Sequence, residues 1–159
     1  MKLPVRKSNR LPNFDYASPH YYFLTICTQN RKCILSHIVG EDAHILPQNH
    51  LTTMGEICKK YILNINCIYE NIFVDKYIIM PNHIHIILAV GGTMRASSPT
   101  VSSVIRSFKT MVTKEIGKAI FQRSFHDHVI RGQEDYLKIW NYVDGSIGKW
   151  EQDCFYSKE

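Results

Sequence analysis

The apolar positions of this 159-residue chain change their period several times, and each change marks an element. Residues 21–28 (YYFLTICT) are aromatic and β-branched, which predicts a strand. Residues 29–32 (QNRK) read as a polar turn. Residues 33–50 show no clear period and hold either one short strand or a loop. From 52 or 53 to 65, Met54, Ile57, Cys58, Tyr61, Ile62 and Ile65 follow three-and-four spacing, which predicts a helix. Thr53, with Glu56 three residues later, fits a capping box at its start. Residues 72–79 form a second strand, Pro81-Asn82 interrupts, and 83–90 form a third, close enough to pair with the second as a hairpin. A small polar loop at 91–99 leads into a second helix over about 100–116, with Val101, Val104, Ile105, Phe108 and Val112 along its apolar face. Residues 124–130 (SFHDHVI) alternate as a fourth strand. A third helix covers 134–144 and is stopped by Gly145 and Gly148. The order β-α-β-β-α-β-α predicts an α+β fold: a ferredoxin-like split βαβ antiparallel sheet with an added C-terminal helix. Strands one and three are then central, and two and four lie at the edges.

The most informative run is MPNHIHIIL (80–88). Side chains alternate across a sheet, so His83 and His85 share one face while Ile84, Ile86 and Leu88 share the other. Two imidazoles on one face can both reach a divalent cation. The plainer reading is a pair of hydrogen-bonded strand histidines. A metal site needs a third ligand from elsewhere. His126 and His128 form a second pair, on the edge strand beside strand one. It could supply a ligand, contact DNA or be polar surface. On the last helix, at about 100° per residue, Tyr136, Trp140 and Val143 make one stripe with Ile139 at its flank. Tyr142 falls off that stripe, near Asp135 and Lys138, and the core does not require it. It is either an amphipathic surface tyrosine or a nucleophile. Ser146, four residues on, lies on nearly the same side.

The length fits one domain, 1–159, with a basic arm at 1–20 and a terminal helix and tail at 132–159. The net charge of +5 only mildly favours a polyanionic partner, but its distribution says more. Lys2, Arg6, Lys7 and Arg10 crowd the arm, and Arg106, Lys109, Lys114 and Lys118 recur along the second helix. These are either phosphate contacts or a solvated face and a loose tail. No stretch approaches the roughly 20 apolar residues of a membrane span. The basic N-terminus has no apolar core of a signal peptide, so a cytoplasmic location is expected. Five cysteines without C-x-x-C spacing read as free thiols in a reducing compartment.

Several segments together resemble the REP-associated tyrosine transposases, relatives of the single-tyrosine insertion-sequence transposases of the HUH class. They are Arg10-Leu11 with Asp15-Tyr16, YFLTICTQNR (22–31), YIIMPNHIHIIL (77–88), VIRSFKTMVTKEI (104–116), FHDHVIR (125–131) and YLKIWNYV (136–143). The resemblance covers nearly the whole chain. It implies a ferredoxin-like fold, Mg²⁺ or Mn²⁺ on His83 and His85, and Tyr142 as nucleophile. It also implies single-stranded DNA beside a REP-like hairpin as substrate, cleaved through a 5′-phosphotyrosine intermediate and rejoined. Arg106, Lys109 and the arm with Arg6, Lys7 and Arg10 are expected on the DNA backbone, with His126 and His128 as further DNA contacts. Tyr21, Tyr22 and Phe23 are expected in the core rather than stacked on a base. The chain is expected to act as a monomer or homodimer.

One departure stands out. The family usually places an Asn-Pro pair after the tyrosine, with the asparagine four residues on. Here the run is YVDGSIG (142–148), with Ser146 and Ile147 at those positions. A serine hydroxyl is a shorter and poorer ligand, and Gly145 weakens the helix there. Asp144 or a water could substitute. The departure motivates an alternative: a DNA-hairpin-binding protein with weakened catalysis, derived from a transposase.

Overall fold

The computed structural model describes residues 20–40, 45–92 and 97–158. The arm that carries Arg6, Lys7 and Arg10 lies outside the described residues. The elements are β1 (His20–Cys27), β2 (Ser36–Val39), β3 (Gln48–Leu51), α1 (Thr53–Ile68), β4 (Ile72–Ile79), β5 (His83–Val90), α2 (Val101–Ile116), β6 (His126–Ile130) and α3 (Gly132–Asp144). A 3-10 segment, Ile147–Gln152, follows. β4, β5, β1 and β6 form one four-stranded antiparallel sheet in that spatial order. The expected α+β split βαβ sheet is therefore observed, with β1 and β5 central.

Residues 33–50 contain a separate two-stranded hairpin, β2 with β3, where one strand or a loop was expected. Strands of four residues, one of them reading Gln48-Asn49-His50-Leu51, are too short and too polar to show a period. The chain leading into this hairpin crosses the start of α1. A Cβ on Gly55 would lie 2.1 Å from the Leu35 carbonyl oxygen, so only glycine admits the crossing. The cap of α1 is Thr52, not Thr53. Its Oγ1 accepts from the Gly55 amide at 3.1 Å and donates to the Ile34 carbonyl at 2.7 Å. Adjacent threonines offer two registers, and the hairpin carbonyls select the first. α1 also runs three residues past its expected end, to Ile68. α2 begins after a Thr100 cap and ends at Gly117, whose φ of +85° terminates the helix in the left-handed region.

The sheet has two unlike faces. Tyr22, Leu24 and Ile26 from β1, and Ile84, Ile86 and Leu88 from β5, pack against α1 and α2 with Ile62, Val104, Ile105 and Phe108. Each fully buried aliphatic side chain there contributes about 1.5–3 kcal/mol. The opposite face carries Phe23, Thr25, His83, His85 and Ile87. It is covered by α3, whose Val143, with Ile87 and Ile130, makes a much smaller buried cluster flanked by Tyr136, Ile139 and Trp140.

α3 is tied down by polar contacts as well. In β4, Val74 pairs with Leu88 but Lys76 pairs with Ile87, so Asp75 is an extra, bulged residue. Consecutive strand residues normally point to opposite faces; here both Asp75 and Lys76 reach α3. Tyr136 donates to the Asp75 carboxylate at 2.7 Å. The Lys76 ammonium donates to Asp144 at 2.7 Å and sits 3.4 Å above the Trp140 ring. At the start of α3, Asp135 accepts from the Arg131 amide at 3.0 Å and pairs with His128 at 2.9 Å.

Candidate metal and tyrosine site

His83 stands opposite Cys27 and His85 opposite Thr25, both on the α3 side of a central strand. The two rings meet with their Nε2 atoms 3.0 Å apart. Their other nitrogens are anchored: His83 Nδ1 lies 2.9 Å from Asn82 Oδ1, and His85 Nδ1 lies 2.9 Å from Thr25 Oγ1. When each Nδ1 carries the proton into those contacts, both Nε2 lone pairs open into one shared space. Metal-binding histidines are commonly oriented in this way. Both rings are fully buried, under Phe155 at 4.7 Å from His83 and Trp150 at 6.0 Å, measured between ring centres. Burial lowers the pKa of His83 to about 2, assisted by the charges of His85 and Arg31. Burial likewise lowers that of His85 to about 4. Both are therefore neutral ligands at neutral pH.

The third member is Asp153, from the segment after α3. One ligand atom from each of His83, His85 and Asp153 falls within 4.8 Å of the others. The Asp153 carboxylate is 3.8 Å from His83 Nε2. With His83 neutral, that approach is not an ion pair. Two imidazole nitrogens and a carboxylate oxygen make a donor set suited to a divalent cation, and their convergence in a buried space fits one.

Tyr142 reaches this cluster from α3. Its hydroxyl lies 3.4 Å from His85 Nε2, and its ring packs edge-on against Phe23. The residue as a whole remains partly exposed. Desolvation, followed by the charges of Asp153 and Cys154, pushes the phenol pKa up to about 12. Ser146 lies buried near the same helix end, but its hydroxyl donates to the Tyr142 carbonyl at 2.7 Å. It closes the helix in this structure, while Asp153 brings a carboxylate beside the two histidines.

The remaining expected site residues are spread out. Arg106 is exposed on α2. Lys109, expected on phosphate, donates in this structure to the carbonyls of Gln122 (2.8 Å), Ser124 (3.0 Å) and Arg123 (3.4 Å). Its three N–H bonds are thereby spent on the main chain before β6. His126 shares a row of the sheet with Thr25 and His85, and His128 one with Phe23 and Ile87. Both are exposed, and His128 is engaged by Asp135. Of the aromatic triplet, Tyr22 is core, Phe23 joins the site, and Tyr21 is exposed against Tyr136.

Asn82, Thr25 and Asp153 are site residues that sequence reasoning missed. Asn82 precedes the histidines directly and could have been suspected as their orienting group. It also donates through Nδ2 to the Phe155 carbonyl at 2.8 Å, which holds the tail over the rings. Asp153 lies 68 residues beyond His85 in a stretch without periodicity.

The fold is similar to that of a solved transposase. A solved REP-associated tyrosine transposase, bound to a REP hairpin, superposes with a TM-score of 0.63 and 21% identity, over 88% of this chain and 73% of that one. A putative transposase from Deinococcus radiodurans aligns more loosely, with a TM-score of 0.45 and 14% identity over 86% of this chain and 95% of that one. No family model matches the sequence. In particular, the chain belongs to one family with an uncharacterized protein of Haemophilus influenzae. The two are 32% identical over 173 aligned positions, which span 95% of this chain and 93% of that protein.

Proposed function

We propose that this protein is a single-stranded DNA endonuclease and strand-transferase that binds DNA hairpins and cleaves through a 5′-phosphotyrosine intermediate. The observation that carries this reading is the Tyr142 hydroxyl, 3.4 Å from His85 in a cluster of two histidines and an aspartate. The hairpin in the solved REP-associated transposase supports the substrate class. His83, His85 and Asp153 would hold the cation, and the nitrogen-rich set favours Mn²⁺ over Mg²⁺, which prefers oxygen ligands. When bound, the cation draws charge from a phosphoryl oxygen and offsets the charge of Asp153. Tyr142 Oη attacks phosphorus and gives up its proton to solvent. The P–O3′ bond breaks, and the departing 3′ oxygen takes a proton from water. Attack of a 3′ hydroxyl on the phosphotyrosine reverses both changes and rejoins a strand, so no nucleotide cofactor is consumed. α3 packs on the sheet of its own chain, which supports a monomer over a homodimer as the working unit. Among the described residues no helix is long and apolar enough to cross a membrane; the proposed site of action is the cytoplasm, where the DNA is.

The test is incubation with Mn²⁺ and labelled single-stranded DNA carrying the hairpin that flanks the protein's own gene, read on a denaturing gel. A covalent adduct in the wild type and none in Tyr142→Phe is the expected result. Nicking that persists in Tyr142→Phe would point to a metal-dependent hydrolase instead. Shifted but uncut DNA would select the second reading, a hairpin-binding protein with decayed catalysis. That reading is favoured by the engaged hydroxyl of Ser146 and by the complete burial of both histidines.

A further inference from the structure

The hairpin of β2 and β3 carries two histidines that the proposed reaction does not use. His37 and His50 stand directly opposite one another across the two strands. We propose that they form a second metal site, a two-imidazole clamp for Zn²⁺ or another divalent ion that prefers nitrogen ligands. The clamp is separate from the buried cluster of His83, His85 and Asp153, and it stands independently of the DNA reading above.

The register places the pair. Ser36 pairs with Leu51 and Ile38 with Asn49, and these side chains turn inward, where they are buried or half-buried. Strand alternation then sends His37 and His50 to the outer face together, and both are exposed. The inner side is pinned on both strands. Ser36 Oγ and Asn49 Nδ2 donate to one carbonyl, that of Ile79, at 3.4 and 2.7 Å. The Leu35 amide donates to the Pro81 carbonyl at 3.0 Å, and the Thr52 amide to the Leu35 carbonyl at 2.9 Å. The residue before each histidine is thus held, so the two imidazoles rise from a fixed frame. Directly opposite residues of an antiparallel pair have Cβ atoms about 4.5–5.5 Å apart. From that spacing, each ring can bring one nitrogen to the roughly 2.0–2.1 Å that Zn²⁺ requires.

The donors select the ion. Imidazole nitrogens suit Zn²⁺, Cu²⁺ and Ni²⁺, whereas Mg²⁺ and Mn²⁺ favour oxygen. The buried cluster contains a carboxylate and the hairpin pair does not, so the two sites differ in the ions they prefer. Water would complete the coordination of Zn²⁺ on the exposed face. A solvated surface pair explains the arrangement less well. Like charges directly opposite on paired strands are destabilising, so two protonated imidazoles would work against the pairing of β2 with β3, whereas one bound ion cross-links it. The gain matters because an isolated two-stranded hairpin is marginal, and β2 and β3 form a sheet of their own. The other exposed pair is less suited, since His128 Nε2 is already held by Asp135 at 2.9 Å. Position gives the ion a consequence. The hairpin bonds to the carbonyls of Ile79 and Pro81, in the turn that leads to Asn82 and His83. An ion that braces the hairpin therefore firms the approach to the buried histidines.

The test titrates Zn²⁺ into the full chain by isothermal titration calorimetry. His37→Gln and His50→Gln are each expected to weaken one binding event at least about tenfold. Asp153→Asn and His126→Gln should keep that event, which separates the hairpin from the buried cluster and from the edge-strand pair. Mg²⁺ in large excess should not displace the Zn²⁺. Both hairpin histidines are exposed, so metal-free melting temperatures of their variants should match the wild type. Should one variant fail to fold, the other carries the test. Unchanged binding in both variants, or a wild type that takes up no Zn²⁺, would overturn the clamp. So would loss in only one of two folded variants, which leaves a lone imidazole. Loss in Asp153→Asn or His126→Gln, with the hairpin variants unaffected, would place the ion elsewhere and reject the site.

Discussion

The two faces of the sheet are built from alternate residues of the same strands, yet they serve opposite ends. On one face, Leu24, Ile26, Ile84, Ile86 and Leu88 meet two amphipathic helices, and stability comes from apolar area removed from water. On the other, Thr25, His83 and His85 interrupt the apolar surface, and a single helix is held by three buried aliphatics and several polar contacts. Burying polar groups costs free energy unless each finds a partner, and the histidines find theirs in Asn82 and Thr25. The α1/α2 face therefore supports a site that the α3 face could not stabilise alone. The central strands are the economical place for the histidines, because their neighbours on both sides fix the backbone.

The sharpest way to break this comparison is to delete adjacent isoleucines. Ile86→Ala should cost about 3–5 kcal/mol, because it opens a cavity in the two-helix core. Ile87→Ala should cost about 2–3 kcal/mol, because the smaller cluster can settle around the gap. Equal costs in urea denaturation would show that the faces are energetically alike. The second expectation concerns the cation. Saturating Mn²⁺ should stabilise the wild type by about 2–3 kcal/mol at 100 times the dissociation constant. Asp153→Asn should reduce that gain sharply, whereas Ser146→Ala should keep it. The reverse pattern in thermal melts would return the third ligand to Ser146.

A pH titration without metal probes the buried imidazoles. The unfolded chain takes up protons on them below about 6.5. The folded chain resists until about 4 at His85 and about 2 at His83, because burial disfavours the charged form. Stability present above pH 6.5 should therefore fall as the pH drops from there towards 4, by about 1 kcal/mol per unit for each ring. Replacing both histidines with glutamine should flatten that slope. The smallest effect is expected at the bulge. Lys76→Met removes a partly exposed ion pair and a ring contact, at a cost below about 1 kcal/mol. It should nevertheless slow adduct formation several-fold at unchanged hairpin affinity, since α3 then holds Tyr142 less firmly. Recovery in Lys76→Arg would separate positioning from general stability.

Periodicity carried most of the fold. The α2 face of Val101, Val104, Ile105, Phe108 and Val112 was legible residue by residue, because three-and-four spacing is a local property. The shared face of His83 and His85 was legible for the same reason, since alternation needs only a strand. So was the placing of Tyr142 off the Tyr136–Trp140–Val143 stripe, which the contacts of α3 bear out. The β2–β3 hairpin, the choice of Thr52 over Thr53 and the length of α1 depended on a distant carbonyl or on strands too short to repeat. Lys109 shows the limit most plainly. Its place on a basic helix suggested phosphate, and its bonds to the carbonyls of residues 122–124 depend on a segment that only the fold brings beneath it.

The amino-acid sequence by itself determined which residues can do chemistry and which side of each element they occupy. Tertiary structure decided which of them meet. Asp153 joins His83 and His85 because the chain after α3 turns back over the sheet, and Asn82 links that tail to the histidines through two hydrogen bonds of one side chain. Contacts of that kind depend on how separate segments close on one another, and no local pattern of residues encodes them.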